Sequence, residues 1–389
     1  MKVEDPEQAL TDAVCSRVRE HLAGADAELA EVFARQLYRW VAPEDVAERD
    51  TLDLYGLALG HFNFARERKP GTPKVRVYNP RFEEHGWQST HTAVEIVTDD
   101  MPFLIDSVSM ELNRRGCGVH LIIHPVLKVR RDDSGRLLEI LPPNEALEDG
   151  ALGESVIHAE VARQADPGRL HELEQHLQRV IGEVRCAVED WQAMRERALE
   201  AADELRGDDP EGSAFLDWLA DDNFTFLGYR DPDGPGLGII REGQEEEDPA
   251  EGLSADSGGI TLTKANTRST VHRPAYLDFV GVAERCFLGL YTHTAYRASP
   301  TEIPILRRRV AAVLERAAFP PGSHNEKALL EILDTYPRDE LFQISDDELF
   351  ETAMGILHLG ERQRLRLFAR RGTASRAASA ALLRAAGRG

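Results

Sequence analysis

The chain has 389 residues, of which 42% are hydrophobic and 29% charged, and its formal net charge is −22. That length supports two or three domains with cores of their own. The acidic balance argues against a nucleic-acid partner, because phosphate binding needs a concentrated basic surface. No apolar run of about 18 residues occurs, so neither a transmembrane helix nor a membrane partner is expected.

The opening MKVEDPEQAL is acidic and lacks an apolar stretch, which predicts no secretory signal. Cys15, Cys117, Cys186 and Cys286 lie far apart without metal-ligand spacing and read as free thiols in a reducing cytoplasm. The expected localisation is therefore cytoplasmic.

The elements, taken in chain order, predict an α+β protein. Residues 1–72 read as a helical N-terminal segment. Val14, Val18 and Leu22 repeat on one helical face, and so do Leu29, Val32, Phe33, Gln36 and Leu37. The break KPGTP leads into a strand-like stretch from Lys74 to Tyr78. Residues 73–206 read as an ACT-like βαββαβ domain. Its first strand runs from His91 to Val97, followed by an Asp-x-Pro turn in which Asp99 or Asp100 caps a helix and Pro102 sits in the first turn. Met101, Leu104, Ile105, Val108 and Leu112 fall on one face of that helix, and Gly116 and Gly118 close it. Val119 to Val129 reads as one strand too apolar for the surface. A polar hairpin from Arg131 to Asn144 follows, then a strand from Ser155 to Arg163 with Val156, His158, Glu160 and Ala162 on one face. A second helix, Pro167 to Ile181, and a short closing strand, Val184 to Val188, complete the unit. A polar helix from Asp190 to Arg206 leads to the linker GDDPEG.

Residues 213–300 read as a second α/β domain, with a helix carrying Phe215, Trp218 and Leu219 and strands at Phe224 to Tyr229, Thr261 to Thr263, Tyr276 to Val282 and Cys286 to Tyr291. Residues 301–360 form a helical segment. Leu306, Val310, Val313 and Leu314 mark its first helix, and capping boxes open two more at Ser323-x-x-Glu326 and Ser345-x-x-Glu348. Residues 361–371 alternate as the first strand of a truncated further domain. Residues 372–389, an Ala/Arg-rich tail without an aromatic or acidic residue, break the pattern. The tail is expected to be a short Ala-rich helix or a disordered segment; a frame slip or false gene end is the expectation for its origin, with a genuine short protein carrying its own tail as the alternative.

Candidate sites are few. The turn Asp100-Met101-Pro102-Phe103, with Asp106 one helical turn on, is the leading effector-binding candidate; structural packing is the competing reading, because the bulky Phe103 would fill the space. His120 and His124 share a strand face but lie about 13 Å apart, too far to chelate one ion, although His91 or His158 could approach one of them. Satisfied sheet histidines are the default, so no metal is expected. The run Glu245-Glu246-Glu247-Asp248 reads as a solvated loop, and Asp221-Asp222-Asn223 as an acidic turn. No catalytic constellation is found: the glycines of Gly234-Pro-Gly236-Leu-Gly238 are not a GxGxxG fingerprint, and no GxSxG elbow occurs.

Longer blocks add a resemblance. DMPFLIDSVSMELNRRG with VHLIIHPVLKVRR, DNFTFLGYRD, VHRPAYLDFVGV with FLGLYT, SPTEIPILRRRV, PPGSHNEKALLEILDTYPRDELFQ and ISDDELFETAMGILHLGERQRLRLFARR together resemble the N-terminal region of the large bacterial NAD-specific glutamate dehydrogenases, in order from about Trp87 to Arg371. The resemblance implies an ACT-type domain followed by an α/β domain with a PAS-like look, with further ACT-type domains and the dehydrogenase domain downstream. It also implies a parent enzyme that oxidises L-glutamate to 2-oxoglutarate and ammonia with NAD. In amino-acid-binding ACT domains the position after the proline is usually glycine; here it is Phe103. None of the six lysines (Lys2, Lys69, Lys74, Lys128, Lys264, Lys327) is followed by glycine, as the catalytic lysine of these enzymes generally is. The expectation is a regulatory and assembly region that is not catalytic by itself and holds no cofactor. It would form homo-oligomers through ACT-like domains and respond to an amino-acid effector. A free-standing amino-acid-binding regulator or an oligomerisation scaffold is the alternative.

Overall fold

A computed structural model of the chain describes residues 6–46, 49–147, 150–232, 234–241, 253 and 259–360. The expected strand at 361–371, the tail at 372–389 and the acidic run at 245–248 lie outside the described residues. Two compact units are present, one of Met1–Val184 with Thr270–Arg273 and one of Arg185–Ser269 with Pro274–Gly389.

The first unit opens with helices α1 (Pro6–His21), α2 (Ala25–Leu37), α3 (Pro43–Val46) and α4 (Thr51–Ala65). Their apolar faces, with Val14, Val18, Phe33, Leu37, Leu54, Leu57 and Phe62 buried, form one core against a sheet. After β1 (Lys74–Tyr78) and the short α5 (Phe82–His85) come β2 (Thr92–Asp99), α6 (Leu104–Arg114), β3 (Val119–Ile123), β4 (Val126–Arg131), β5 (Leu137–Leu141) and β6 (Ala151–Val161), then the 39-residue helix α7 (Pro167–Leu205). The sheet order is β1-β2-β6-β4-β5, with β3 also pairing β6, and every pairing is antiparallel. Alternate residues split this sheet between two cores. Val75, Val77, Val94, Ile96, Ile157, Ala159 and Val161 face α6 and the start of α7, where Val108, Leu112, Leu173, Leu177 and Ile181 are buried. The opposite face turns to α1–α4.

Three expectations for this unit need correction. The closing strand Val184 to Val188 does not exist. Val184 and Ala187 continue the buried stripe that runs through Leu177, Val180 and Ile181 to Met194 and Ala198, so helical spacing persists and α7 does not stop. The edge such a strand would occupy, antiparallel to β2, is already held by β1, which comes before the unit in sequence. Secondly, Val119 to Val129 is two strands parted at His124-Pro125, since proline has no amide hydrogen for a ladder. Ile122 and Val126 on them are exposed. Thirdly, neither Asp99 nor Asp100 caps α6. The helix follows Phe103, whose φ is 68°, with no side-chain cap. A left-handed residue costs about 1–2 kcal/mol, whereas full burial of an aliphatic side chain such as Leu104, Val108 or Leu112 returns about 1.5–3 kcal/mol. Packing therefore decides where the helix starts.

The second unit contains the rest of α7, then α8 (Pro210–Trp218), capped by the Asp209 side chain on the Gly212 amide, and strands β7 (Phe224–Arg230), β8 (Leu237–Gly238), β9 (Ile260–Arg268), β10 (Tyr276–Val282) and β11 (Arg285–Tyr291). The stretch Asp190 to Arg206 is thus part of α7 rather than a helix of its own. The antiparallel sheet runs β8-β7-β11-β10-β9. Helices α9 (His293–Arg297), α10 (Leu306–Ala317), α11 (His324–Thr335), α12 (Arg338–Leu341) and α13 (Asp346–Gly360) follow. Both serines cap their helices: the Glu326 amide donates to Ser323 Oγ at 3.2 Å and the Glu348 amide to Ser345 Oγ at 3.3 Å, while the Glu326 carboxylate accepts from the Gly322 amide and that of Glu348 from the Ser345 hydroxyl. Phe215, Phe226, Phe287, Tyr291, Val310, Leu333 and Phe342 share the core. No described helix is long and apolar enough to cross a membrane.

Candidate functional site

The β2–α6 turn holds the residues the sequence singled out. Asp100 is exposed and its Oδ1 accepts a hydrogen bond from Ser155 Oγ at 2.6 Å. His124 Nε2 lies 3.1 Å from the same Oγ. This line of Asp, Ser and His is no nucleophile relay: the serine hydroxyl donates its hydrogen bond to the carboxylate, so it is left to accept from the imidazole, which does not act as its base. The Phe103 ring packs against His272, centroids 4.7 Å apart. The His272 amide donates to Ser107 Oγ at 3.1 Å, and Ser107 Oγ donates to the Phe103 carbonyl at 2.7 Å. The space beside the turn is thus filled by the protein's own rings. Asp106 is exposed, and its charge acts on His272 against the burial that lowers that imidazole's pKa.

A second polar region went largely unread in the sequence. The sheet face turned to α1–α4 carries Glu95, Glu154, His158 and Glu160, all buried. Unpaired, such charges would be costly to bury, and each carboxylate has a guanidinium. Glu154 takes Arg68 at 2.7 Å and Arg131 at 2.6 Å, and Arg68 also reaches Asp99 at 2.6 Å. Glu95 holds Arg76 and accepts the Tyr78 hydroxyl at 2.7 Å. Glu160 holds Arg49 and accepts Ser89 Oγ at 2.9 Å. Burial pushes the Glu160 carboxyl up, but His158 and Arg49 outweigh it and hold the group well below the usual carboxylate range.

Among these pairs stand two histidines. Glu95 on β2 and His158 on β6 are direct cross-strand partners, and His61 of α4 lies above them. His158 Nδ1 is 3.9 Å from Glu95 Oε1, and Nε2 is 3.6 Å from Glu160 Oε1. Neither ring nitrogen of either histidine has a hydrogen-bond partner; His61 is drawn toward the Ile96 backbone without reaching hydrogen-bonding geometry. Burial holds the His61 imidazole down to about 4, so it is neutral at pH 7. A buried polar group without a partner costs about 1–3 kcal/mol.

The sequence had set His158 or His91 beside His120 or His124. His91 does lie against His120, ring centroids 4.2 Å apart and tilted by 36°, but His158 belongs with His61 and Glu95, neither of which sequence reasoning named. The alternation of β6 placed His158 and Glu160 on one face; which strand faces them is set by register, and no local pattern carries that.

Elsewhere the turn reading of Asp221-Asp222-Asn223 fits the geometry. Asn223 Nδ2 donates to the Trp218 and Asp221 carbonyls, and Asp222 has a φ of 55°. The glycines at 234–238 do not fit a dinucleotide. The Gly238 amide donates to Asp190 Oδ2 at 2.8 Å, so a carboxylate stands where a phosphate would have to be. A Cβ on Gly236 would lie 2.4 Å from the Ile240 carbonyl oxygen and one on Gly238 2.1 Å from that of Leu227. These glycines let the backbone of this loop pack on its own chain.

The first unit is thus mixed α/β, with an antiparallel sheet covered by helices on both faces. Residues 33–177 match the family "Glutamate dehydrogenase, ACT1 domain", and residues 303–362 match "Glutamate dehydrogenase, helical motif 1". The chain is 42% identical over 401 residues to an NAD-specific glutamate dehydrogenase of Halomonas elongata, covering 92% of this chain and 25% of that protein. It is 36% identical over 396 residues to the one of Pseudomonas aeruginosa (90% and 24%), and 31% identical over 337 residues to the one of Mycobacterium tuberculosis (80% and 20%). The chain belongs to this family of large NAD-specific glutamate dehydrogenases and corresponds to their N-terminal region. It spans about a quarter of the length of the first two relatives.

Proposed function

We propose that this chain is the regulatory and assembly region of an NAD-specific glutamate dehydrogenase and is not catalytic by itself. The parent reaction would convert L-glutamate, NAD and water to 2-oxoglutarate, ammonia and NADH, with NAD held by another part of the enzyme. The observation that carries this reading is the match of nine-tenths of the chain to one quarter of such enzymes. Two further features support it: the 234–238 glycines serve their own chain, and the lysines at 74, 128 and 264 are spent on backbone carbonyls or aspartates. In this reading the protein is cytoplasmic and homo-oligomeric through its ACT-like unit.

An amino-acid effector, if bound, would enter at Asp100, Phe103 and Asp106, where the Phe103–His272 contact must open first. The second unit is PAS-like in this reading. Its five strands, taken in chain order, lie 2-1-5-4-3 across the sheet, the order of a PAS sheet.

Calorimetry of the chain against a panel of amino acids tests the regulatory part, with one saturable ligand expected, weakened by Asp100→Ala. Silence across the panel, with a stable oligomer by light scattering, leaves assembly alone. Reduction of NAD by the purified chain in the presence of glutamate refutes the non-catalytic reading.

A further inference from the structure

We propose that His61, Glu95 and His158 form a binding site for a single zinc-class metal ion, set between helix α4 and the sheet of the first unit. Each of the three side chains offers one donor atom, and these atoms lie within 4.8 Å of one another. All three residues have 0% exposure. Core histidines normally place their ring nitrogens on carbonyls, hydroxyls or water. Here neither nitrogen of either ring makes a hydrogen bond, and the two of His158 stand only within ion-pair distance of Glu95 and Glu160, an arrangement that leaves room for an ion as the direct partner.

The donor set fits zinc. Two imidazole nitrogens and one carboxylate oxygen, with a water in the fourth position, make a tetrahedral nitrogen–oxygen shell. At metal–ligand distances of about 2.0–2.2 Å, neighbouring donors of such a shell stand roughly 3.3–3.5 Å apart. The three groups therefore need to close by up to about 1.4 Å, within the reach of side-chain rotation.

The surroundings have the pattern of an outer shell. Metal-bound histidine typically donates its other ring N–H to a carboxylate. With His158 Nδ1 turned to Glu95 at 3.9 Å, Nε2 faces Glu160 at 3.6 Å, and Glu160 is itself fixed by Arg49 and Ser89. Arg76 and Tyr78 orient the Glu95 carboxylate. Phe33 and Phe64 flank the His61 ring and Trp87 the His158 ring, which keeps solvent from the ion. Because the site is fully enclosed, the ion would be taken up as the chain folds. It would tie α4 to β2 and β6, a structural role independent of the regulatory reading above.

The test uses the untagged full chain, unfolded in denaturant with a chelator and refolded with or without Zn²⁺. One tightly held zinc per chain is expected, with a higher Tm in the zinc-refolded sample. Co²⁺ in its place should give the visible absorption of a four-coordinate nitrogen–oxygen shell. His61→Gln and His158→Gln should each weaken binding about 100-fold or more, and Glu160→Gln by roughly 10-fold or more. His21→Gln, on an exposed residue of α1, should leave it unchanged. Absence of stoichiometric zinc after refolding, or affinity indifferent to both histidine variants, overturns the proposal. Should the histidine variants fail to fold, the cobalt spectrum of the unaltered chain decides. A four-coordinate spectrum supports the site, and a six-coordinate, surface-type one overturns it.

Discussion

Phe103 holds a backbone angle that glycine adopts freely and other residues rarely do. Two effects therefore separate on substitution: the ring's contact with His272 and the strain at φ 68°. Both Phe103→Ala and Phe103→Gly lose the ring, but only glycine relieves the backbone, so the glycine variant should be the more stable by about 1 kcal/mol in denaturant melts. Glu183 offers a second check. Burial raises its carboxyl pKa despite the Thr270 hydroxyl and Arg179. For an acid whose folded pKa is raised, the ionised form is penalised in the folded state, and stability falls as pH rises through that value. Glu183→Gln should therefore raise Tm by about a degree or two at pH 7, and the gap should close as pH approaches about 4, the unfolded value. At Glu154 the ion pairs decide. With two guanidiniums on one buried carboxylate, Glu154→Gln leaves Arg68 and Arg131 underpaired and should cost about 3–5 kcal/mol in the same melts. Residues of this kind were only half visible in the sequence. The turn that carries Asp100 and Phe103 announced itself by Asp, Pro and spacing, whereas Glu95 and His61 carry no local signature, because their partners are 63 and 97 positions away along the chain.

At the scale of elements, α7 shows where periodicity was read correctly and cut too soon. Leu177, Val180, Ile181, Val184 and Ala187 keep one buried face, yet Val184 to Val188 also satisfies the apolar density of a short strand. Five residues cannot distinguish the two periods. What decides is that the sheet edge beside β2 is already taken by Lys74 to Tyr78. Continuity of the helix can be probed at Gln192, an exposed position in its middle. Gln192→Pro should cost about 3 kcal/mol or more and Gln192→Gly about 1 kcal/mol, read by circular dichroism during urea unfolding. Equal and negligible costs would place a break there. The helix caps at Ser323 and Ser345 were legible because both partners sit within three residues of each other.

For the whole molecule, the identity to a quarter of a long enzyme sets the frame, and the chain's two units divide its work into separate cores. Composition and ordered blocks made the α+β class and the family readable. Strand order was not, since antiparallel neighbours such as β2 and β6 are brought together by tertiary packing rather than by any nearby residue. The placement of β1 also bears on synthesis. An ACT-like sheet whose last strand arrives after the second helix must wait for that helix before its edge is closed. Here all six strands have emerged from the ribosome by Val161, and the covering residues Leu173, Leu177 and Ile181 follow within about one more helix length. Domains generally fold as units, the earlier ones first. The first unit can thus reach a nearly closed, protease-resistant state while most of the second is still being translated, with only Thr270–Arg273 left to join it.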